Sequence, residues 1–170
     1  MLGACRVAAR GFRAGAVLRA GASEAGSAGG VPSKLRLNMV VPHQILVKNE
    51  EVRQVTIPSP NGEFGVLAGH VPVVTELQPG VVTIEFGDGK DPVKYFVSGG
   101  FAFVHGNSTT DISAVEAVPL DELDPEAVKA NLKEAEGSLA GAKDDKEKAV
   151  AQIAIDVNNK MALALGVVAS

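Results

Sequence analysis

The chain has 170 residues, 46% hydrophobic and 21% charged, with nineteen glycines and one cysteine. That is enough apolar material for one packed domain, or a domain with a small appendage, and it argues against wholesale disorder. No apolar run approaches the roughly 18 residues that a membrane-spanning helix needs, so a soluble chain, at most peripheral to a membrane, is expected.

The net charge of −4 is unevenly spread. Arg6, Arg10, Arg13 and Arg19 lie in residues 1–22, and the first acid is Glu24. Taking those four from the sixteen basic residues leaves twelve against twenty acids, a net charge of −8. A body that acidic repels nucleic acid and anionic lipid, so neither is expected as a primary partner. The basic segment has Leu2, Val7, Phe12, Val17 and Leu18 between its arginines, the make-up of an amphipathic mitochondrial presequence. A secretory signal would need an unbroken apolar centre, which the arginines interrupt. Residues 1–22 are therefore expected to be an address and 23–34 a flexible linker, with cleavage between Arg19 and Gly30. Cys5 lies inside the address, so the processed chain would have neither a disulfide nor a thiolate ligand.

From residue 35 to 118 the apolar pattern has period two. Val55 and Ile57 flank Thr56, Val82, Ile84 and Phe86 alternate with Thr83 and Glu85, and Phe101 and Phe103 flank Ala102. Turn signals separate the runs at Pro60-Asn61-Gly62, Pro79-Gly80, Gly87-Asp88-Gly89 and Gly106-Asn107. This spacing predicts an antiparallel β-sandwich or flattened barrel rather than βαβ crossovers. Gly99-Gly100 inside an apolar run suggests a bulge or a close backbone approach. If Phe101 is a core residue, replacing it with Ala would cost about 3–5 kcal/mol.

Residues 119–170 follow a different rule. Asp124-Pro125-Glu126 reads as N-cap, first helical residue and first-turn acid. Val128, Leu132, Ala135, Leu139 and Ala142 then form one helical stripe, and Val150, Ile153, Val157, Met161 and Ala164 a second. Two amphipathic helices joined near residues 141–145 make an α-helical hairpin. A two-helix hairpin buries too little to stand alone, so it must dock on the sheet or on another protein.

Little in the sequence speaks of catalysis. His43, His70 and His105 do not pair at metal-ligand spacing, and no catalytic residue, cofactor site or metal site is expected. Phe96-Val97-Ser98-Gly99-Gly100 lacks the first glycine of a nucleophile elbow. Asn107-Ser108-Thr109 fits a glycosylation site only formally, because a chain imported into the mitochondrial matrix would not meet the transferase.

The densest stretch runs from Asn61 to Pro72 and is expected to be a connection between strands. Gly62, Gly65 and Gly69 would shape it, as Gly80, Gly99 and Gly100 would shape loops further on. In one reading His70 simply hydrogen-bonds to backbone; in the other, Glu63 and His70 point outward as partner contacts.

Gly62-x-x-Gly65-Val66-Leu67-x-x-His70-x-Pro72, followed by Thr75-x-Leu77-x-Pro79-Gly80, resembles the signature of the F-type ATP synthase epsilon family, whose mitochondrial branch is called delta. Tyr95-Phe96-Val97-Ser98-Gly99-Gly100-Phe101 and the segment Ile112 to Ala117 extend the resemblance, which runs in register from Asn38 to the C-terminus. It implies a β-sandwich followed by a helical hairpin. It also implies a non-catalytic rotor subunit in the central stalk, on the matrix side of the mitochondrial inner membrane. The implied partners are the gamma shaft, the small mitochondrial epsilon subunit and the ring of c subunits, with Glu63 and His70 facing the ring. The presequence favours the mitochondrial branch. One departure stands out: some bacterial members bind ATP on the hairpin through Ile/Leu-Asp-x-x-Arg-Ala, and Ala127 occupies the arginine position here. That removes a phosphate partner. Two rivals remain. A small-ligand-binding β-barrel predicts a cavity lined by Phe64, Phe86 and Phe103, and a matrix hydrolase would use His70 as general base.

Overall fold

A computed structural model describes residues 33–87 and 89–167; the basic segment, the cleavage zone and nearly all of the linker lie outside the described residues. The chain forms β1 (Leu35–Val41), β2 (Gln44–Val52), β3 (Gln54–Ser59), β4 (Gly62–Leu67), β5 (Val73–Leu77), β6 (Gly80–Glu85), β7 (Val93–Val97), β8 (Gly100–Val104), β9 (Thr109–Ala114) and β10 (Ala117–Pro119). A 3-10 turn at Leu120–Glu122 leads into α1 (Pro125–Gly141) and α2 (Asp145–Ala164).

The strands make two five-stranded sheets, ordered β2-β1-β9-β8-β5 and β10-β7-β6-β3-β4. Pairing is antiparallel except between β1 and β9, which run parallel with Leu37 opposite Thr110 and Met39 opposite Ile112. The sandwich is as the period-two pattern predicts; the parallel pair is not. Parallel neighbours require a long connection, and here the whole run from β2 to β8 supplies it.

The inward faces follow strand parity. Leu35, Leu37, Met39 and Val41 of β1 are buried, as are Val55 and Ile57 of β3 and Val82 and Ile84 of β6. Together they form a continuous aliphatic layer, with Phe64, Phe86 and Tyr95 packed partly against it. In β8 the sequence expectation about Phe101 is reversed. Ala102 and Val104 point inward, opposite Ile112 and Thr110, while Phe101 is 53% exposed and Phe103 37%. Gly-Phe-Ala-Phe-Val is apolar at both parities, so alternation could not choose the buried face. The Gly99-Gly100 pair does mark a close approach. Gly100 has φ +139°, and a Cβ there would lie 2.1 Å from the Ser113 carbonyl oxygen of β9.

The hairpin begins as expected. Asp124 is the N-cap of α1, its carboxylate accepting the Glu126 N–H at 2.9 Å, with Pro125 in the first turn. Asp144 caps α2 in the same way, accepting from the Glu147 N–H at 2.7 Å. The stripe expected on α1 is buried at Val128, Leu132 and Ala135. The stripe expected on α2 is met only in part: Val157, Met161 and Ala164 are half-buried, but Val150 and Ile153 are 61% and 63% exposed, and the fully buried residues are Ala151 and Ala162. α2 is apolar on two adjacent faces, and the one carrying the smaller residues allows the closer approach to α1. Near its C-terminal end, Lys160, Leu163 and Ala164 border a crevice with Pro58, Gly80 and Val81 of the sandwich.

Urea unfolding should separate the two parities of the sheets. Ile57→Ala is expected to lower stability by about 2–5 kcal/mol, and Phe101→Ala by less than about 1 kcal/mol in the isolated chain, because Phe101 fills no interior volume.

Candidate functional site

The Asn61 to Pro72 stretch is mostly strand rather than loop. Phe64 and Val66 fit the inward parity of the second sheet, so residues 62–67 pair along β3 with Glu63 opposite Pro58 and Val66 opposite Val55. β4 is an edge strand of its sheet, and β5, reached through residues 68–72, is an edge strand of the other. The stretch therefore forms one open side of the sandwich, crossing from sheet to sheet at His70.

Only some of the glycines set turn geometry. Gly62, at the β3–β4 tip, has φ +110°, and its carbonyl accepts the Ser59 hydroxyl at 2.6 Å. Gly69 has φ +78° in the β4–β5 connection. Gly65 and Gly80 are different: neither has a positive φ, and both allow close packing instead. A Cβ on Gly65 would lie 2.8 Å from the Gln54 amide nitrogen, and one on Gly80 would lie 2.9 Å from Pro58 Cβ.

Glu63 and His70 are not brought together. Glu63 lies at the hairpin end of β4, exposed, with no side-chain hydrogen bond or ion pair among the described residues. His70 lies in the turn that follows Leu67, outside the strand. His70 donates its backbone N–H to the Leu67 carbonyl at 3.1 Å. Its ring is tilted 36° against Phe64, with centroids 6.1 Å apart. Nδ1 lies 2.8 Å from the Val71 carbonyl. A carbonyl only accepts, so the proton is on Nδ1, and Nε2 of the neutral ring is left as an acceptor. The two roles weighed for His70 are thus compatible: one nitrogen fixes the ring to the backbone, and the other stays available.

The other histidines lie outside this stretch of the chain. His43 lies in the β1–β2 turn. His105 Nε2 donates to Asp111 at 2.8 Å, and Asp111 also accepts from Asn38 Nδ2 at 2.6 Å. Asn38 in turn accepts the backbone N–H of Asn49, which has φ +50°, at 2.7 Å. This chain of bonds ties β8, β9, β1 and a kink in β2 across the outer face of the first sheet. No local pattern announces it, because its members are far apart in the chain and look like ordinary solvent-facing polar residues. At the far end of the sandwich, the Lys34 ammonium, 2.6 Å from Glu51, holds that exposed carboxyl below its ordinary range through a hydrogen bond and charge attraction. Among the described residues no three His, Cys, Asp or Glu side chains are grouped to hold a metal ion, and no helix is long and apolar enough to cross a membrane.

Residues 34–119, the sandwich, match the family model described as ATP synthase, Delta/Epsilon chain, beta-sandwich domain. The chain belongs to the ATP synthase delta/epsilon family. Among relatives in that family, a mitochondrial ATP synthase subunit delta' of Ipomoea batatas is 49% identical over 135 residues, covering 79% of this chain and 66% of that one. A mitochondrial delta subunit of Agaricus bisporus is 41% identical, covering 79% and 82%. One from Yarrowia lipolytica is 38% identical, covering 95% and 98%. Among solved structures, a chain of the Euglena gracilis mitochondrial ATP synthase superposes with TM-score 0.77 at 34% identity, covering 85% of this chain and 89% of that one. A Tetrahymena thermophila chain, at TM-score 0.58 and 16% identity over 78% and 96%, shares the fold. Sandwich and hairpin both fall within the region of similarity to the Euglena chain.

The two kinds of glycine should respond differently to substitution. Gly62→Ala forces a side chain into a positive φ and is expected to cost about 1–3 kcal/mol in urea unfolding. Gly65→Ala meets only the movable end of Gln54 and should cost less than about 1 kcal/mol.

Proposed function

We propose that this chain is a non-catalytic rotor subunit of the mitochondrial proton-transporting ATP synthase. It sits in the central stalk on the matrix side of the inner membrane and joins the gamma shaft to the c-subunit ring, so that proton flow drives ATP synthesis by rotation. The observation that carries this reading is the likeness of the whole fold, sandwich and hairpin together, to a chain of the Euglena OSCP/F1/c-ring assembly.

The physical properties suit the part. A rotor coupling has to pass torque without yielding, and two sheets closed on a packed aliphatic layer resist deformation. Apolar side chains also remain exposed where a free monomer gains nothing from them. On the outer face of the first sheet these are Val74, Phe101 and Phe103; on the hairpin they are Val150, Ile153 and Leu163. Such surfaces fit an assembly with gamma and the small mitochondrial epsilon subunit on more than one side. The β4 edge, with Glu63 at one end and His70 at the other, supplies polar contacts to the loops of the c-ring. An exposed carboxylate contributes only about 0–1 kcal/mol through an ion pair, so attachment is distributed along the edge.

The rival readings find less support. Phe103 points away from the interior, so Phe64, Phe86 and Phe103 do not line a common cavity. The hairpin is also ill suited to nucleotide: Asp124 is engaged in capping, and Ala127 offers no charge. The groove between the helices carries Glu134, Asp144 and Glu147 against Lys146, which disfavours a polyphosphate.

Two measurements test this. In inside-out membrane vesicles, Glu63→Ala and His70→Ala should each lower ATP-driven proton pumping relative to ATP hydrolysis. Their effects on the free energy of ring attachment should add to within about 0.5 kcal/mol, because no hydrogen bond or ion pair joins the two side chains among the described residues. Unchanged pumping in the double variant would remove the ring-contact assignment. Titration calorimetry with Mg-ATP is expected to show no binding tighter than about 1 mM, which corresponds to only about 4 kcal/mol; micromolar affinity would contradict the reading of the hairpin.

A further inference from the structure

The connection that carries His70 is tied to a second hairpin tip. Between β8 and β9 the chain turns through Gly106-Asn107-Ser108, with the His105 N–H bonded to the Thr109 carbonyl at 2.8 Å and the Ser108 N–H to the His105 carbonyl at 3.2 Å. The last residue of such a turn takes a left-handed conformation, for which glycine is the usual choice. Here it is Ser108, with φ +60° and only 2% exposed. A buried serine held in this conformation invites the question of what its side chain does. Its Oγ accepts the backbone N–H of Gly69 at 2.8 Å, across 39 residues of sequence. Its carbonyl accepts the Arg36 N–H at 2.9 Å, anchoring the same residue to β1. The two loops also abut at Gly106, where a Cβ would stand 3.4 Å from Pro72 Cγ.

We propose that Ser108 is a positioning residue for the His70 end of the ring-facing edge. Its hydroxyl fixes the Ala68–Gly69 peptide and, through the Gly69 backbone that follows, the direction of the imidazole. This rests on the reading of the β4 edge as the ring contact. Gly69 itself is left-handed at φ +78°, so its neighbours alone do little to hold its N–H in one direction. The His70 N–H bond to Leu67 and the Nδ1 bond to Val71 are both local and would turn with the loop. The hydroxyl of Ser108 is what ties that loop to the rigid β8–β9–β1 part of the first sheet.

The test uses Ser108→Gly, which suits the left-handed backbone and deletes only the hydroxymethyl group, with Ser108→Ala as the variant that keeps Cβ. In the full chain, the Gly69 amide of both variants should exchange with solvent about tenfold faster or more. In Ser108→Gly the urea midpoint should hold while the His70 ring nitrogen resonances move away from the fixed Nδ1–H pattern. In vesicles, Ser108→Gly should reproduce the direction of the His70→Ala coupling defect at unchanged ATP hydrolysis. Unaltered Gly69 exchange and His70 resonances in Ser108→Gly would overturn the proposal. So would normal coupling in Ser108→Gly beside defective coupling in His70→Ala. If Gly69 exchange rises but both variants couple normally, Ser108 does hold the loop, and it is the ring-facing reading of the edge that fails.

Discussion

The dry layer between the two sheets is the constraint from which the rest of this structure follows. Leu35, Leu37 and Met39 on one side meet Val55, Ile57, Val82 and Ile84 on the other, all of them fully buried. Because a strand exposes alternate residues, committing these side chains inward fixes what every neighbouring position presents outward. Phe101 and Phe103 face out because Ala102 and Val104 lie opposite Ile112 and Thr110. The layer is also the mechanical element. An interior packed at near-crystalline density transmits a displacement applied at one edge to the other, which a coupling between shaft and ring requires.

The same parity decides where the polar contacts can be. A sequence motif of eleven residues looks like one loop, and reading it so places Glu63 and His70 side by side. Once Phe64 and Val66 join the core, the motif is stretched into β4, with Glu63 near the start of the strand and His70 in the turn after it. A compact site becomes a line along one side of the sandwich. As the proposed ring contact, a line of weak polar groups would have a property that a single strong site lacks: no one contact would have to break or form for the complex to stay attached, and a tangential load would be shared along it. The edge strands also leave unpaired backbone groups on this side, which a partner can cover.

Much of the architecture was legible because the physics behind it is local. Alternation across Val55, Thr56 and Ile57 reports a half-buried strand, and Asp124-Pro125-Glu126 starts a helix through the backbone groups it satisfies within the first turn. Two of the misreadings share one cause: in each, two faces of an element were equally apolar. β8 offered Phe101 and Phe103 against Ala102 and Val104. α2 offered Val150 and Ile153 against Ala151 and Ala162. In both the smaller residues went inward, and only the neighbouring element could decide that. The parallel β1–β9 pair, the His105–Asp111–Asn38–Asn49 chain and the Ser108 tether escaped for a related reason. They join positions far apart in the chain, and no local pattern records such a juxtaposition. Glu63 and His70 were legible in the glycine-rich stretch as candidate partner contacts, but only the family resemblance pointed them toward the ring, since the spacing of a lone acid and a lone histidine carries little information by itself.

The hairpin obeys a different economy from the sandwich. Its seam is built from Val128, Leu132, Ala135, Ala151 and Ala162, and alanines bury little area per residue. What they allow is closeness, so the two helices pack as a thin plate while Val150, Ile153 and Leu163 remain on its surface. A plate of that kind contributes little stability of its own and presents apolar area to whatever lies against it. The sandwich holds its shape through its own interior, whereas the hairpin buries few side chains and leaves Val150, Ile153 and Leu163 exposed. That division suits a subunit assembled into a stalk: the stiff part is complete before assembly, and the adaptable part is finished by its partners.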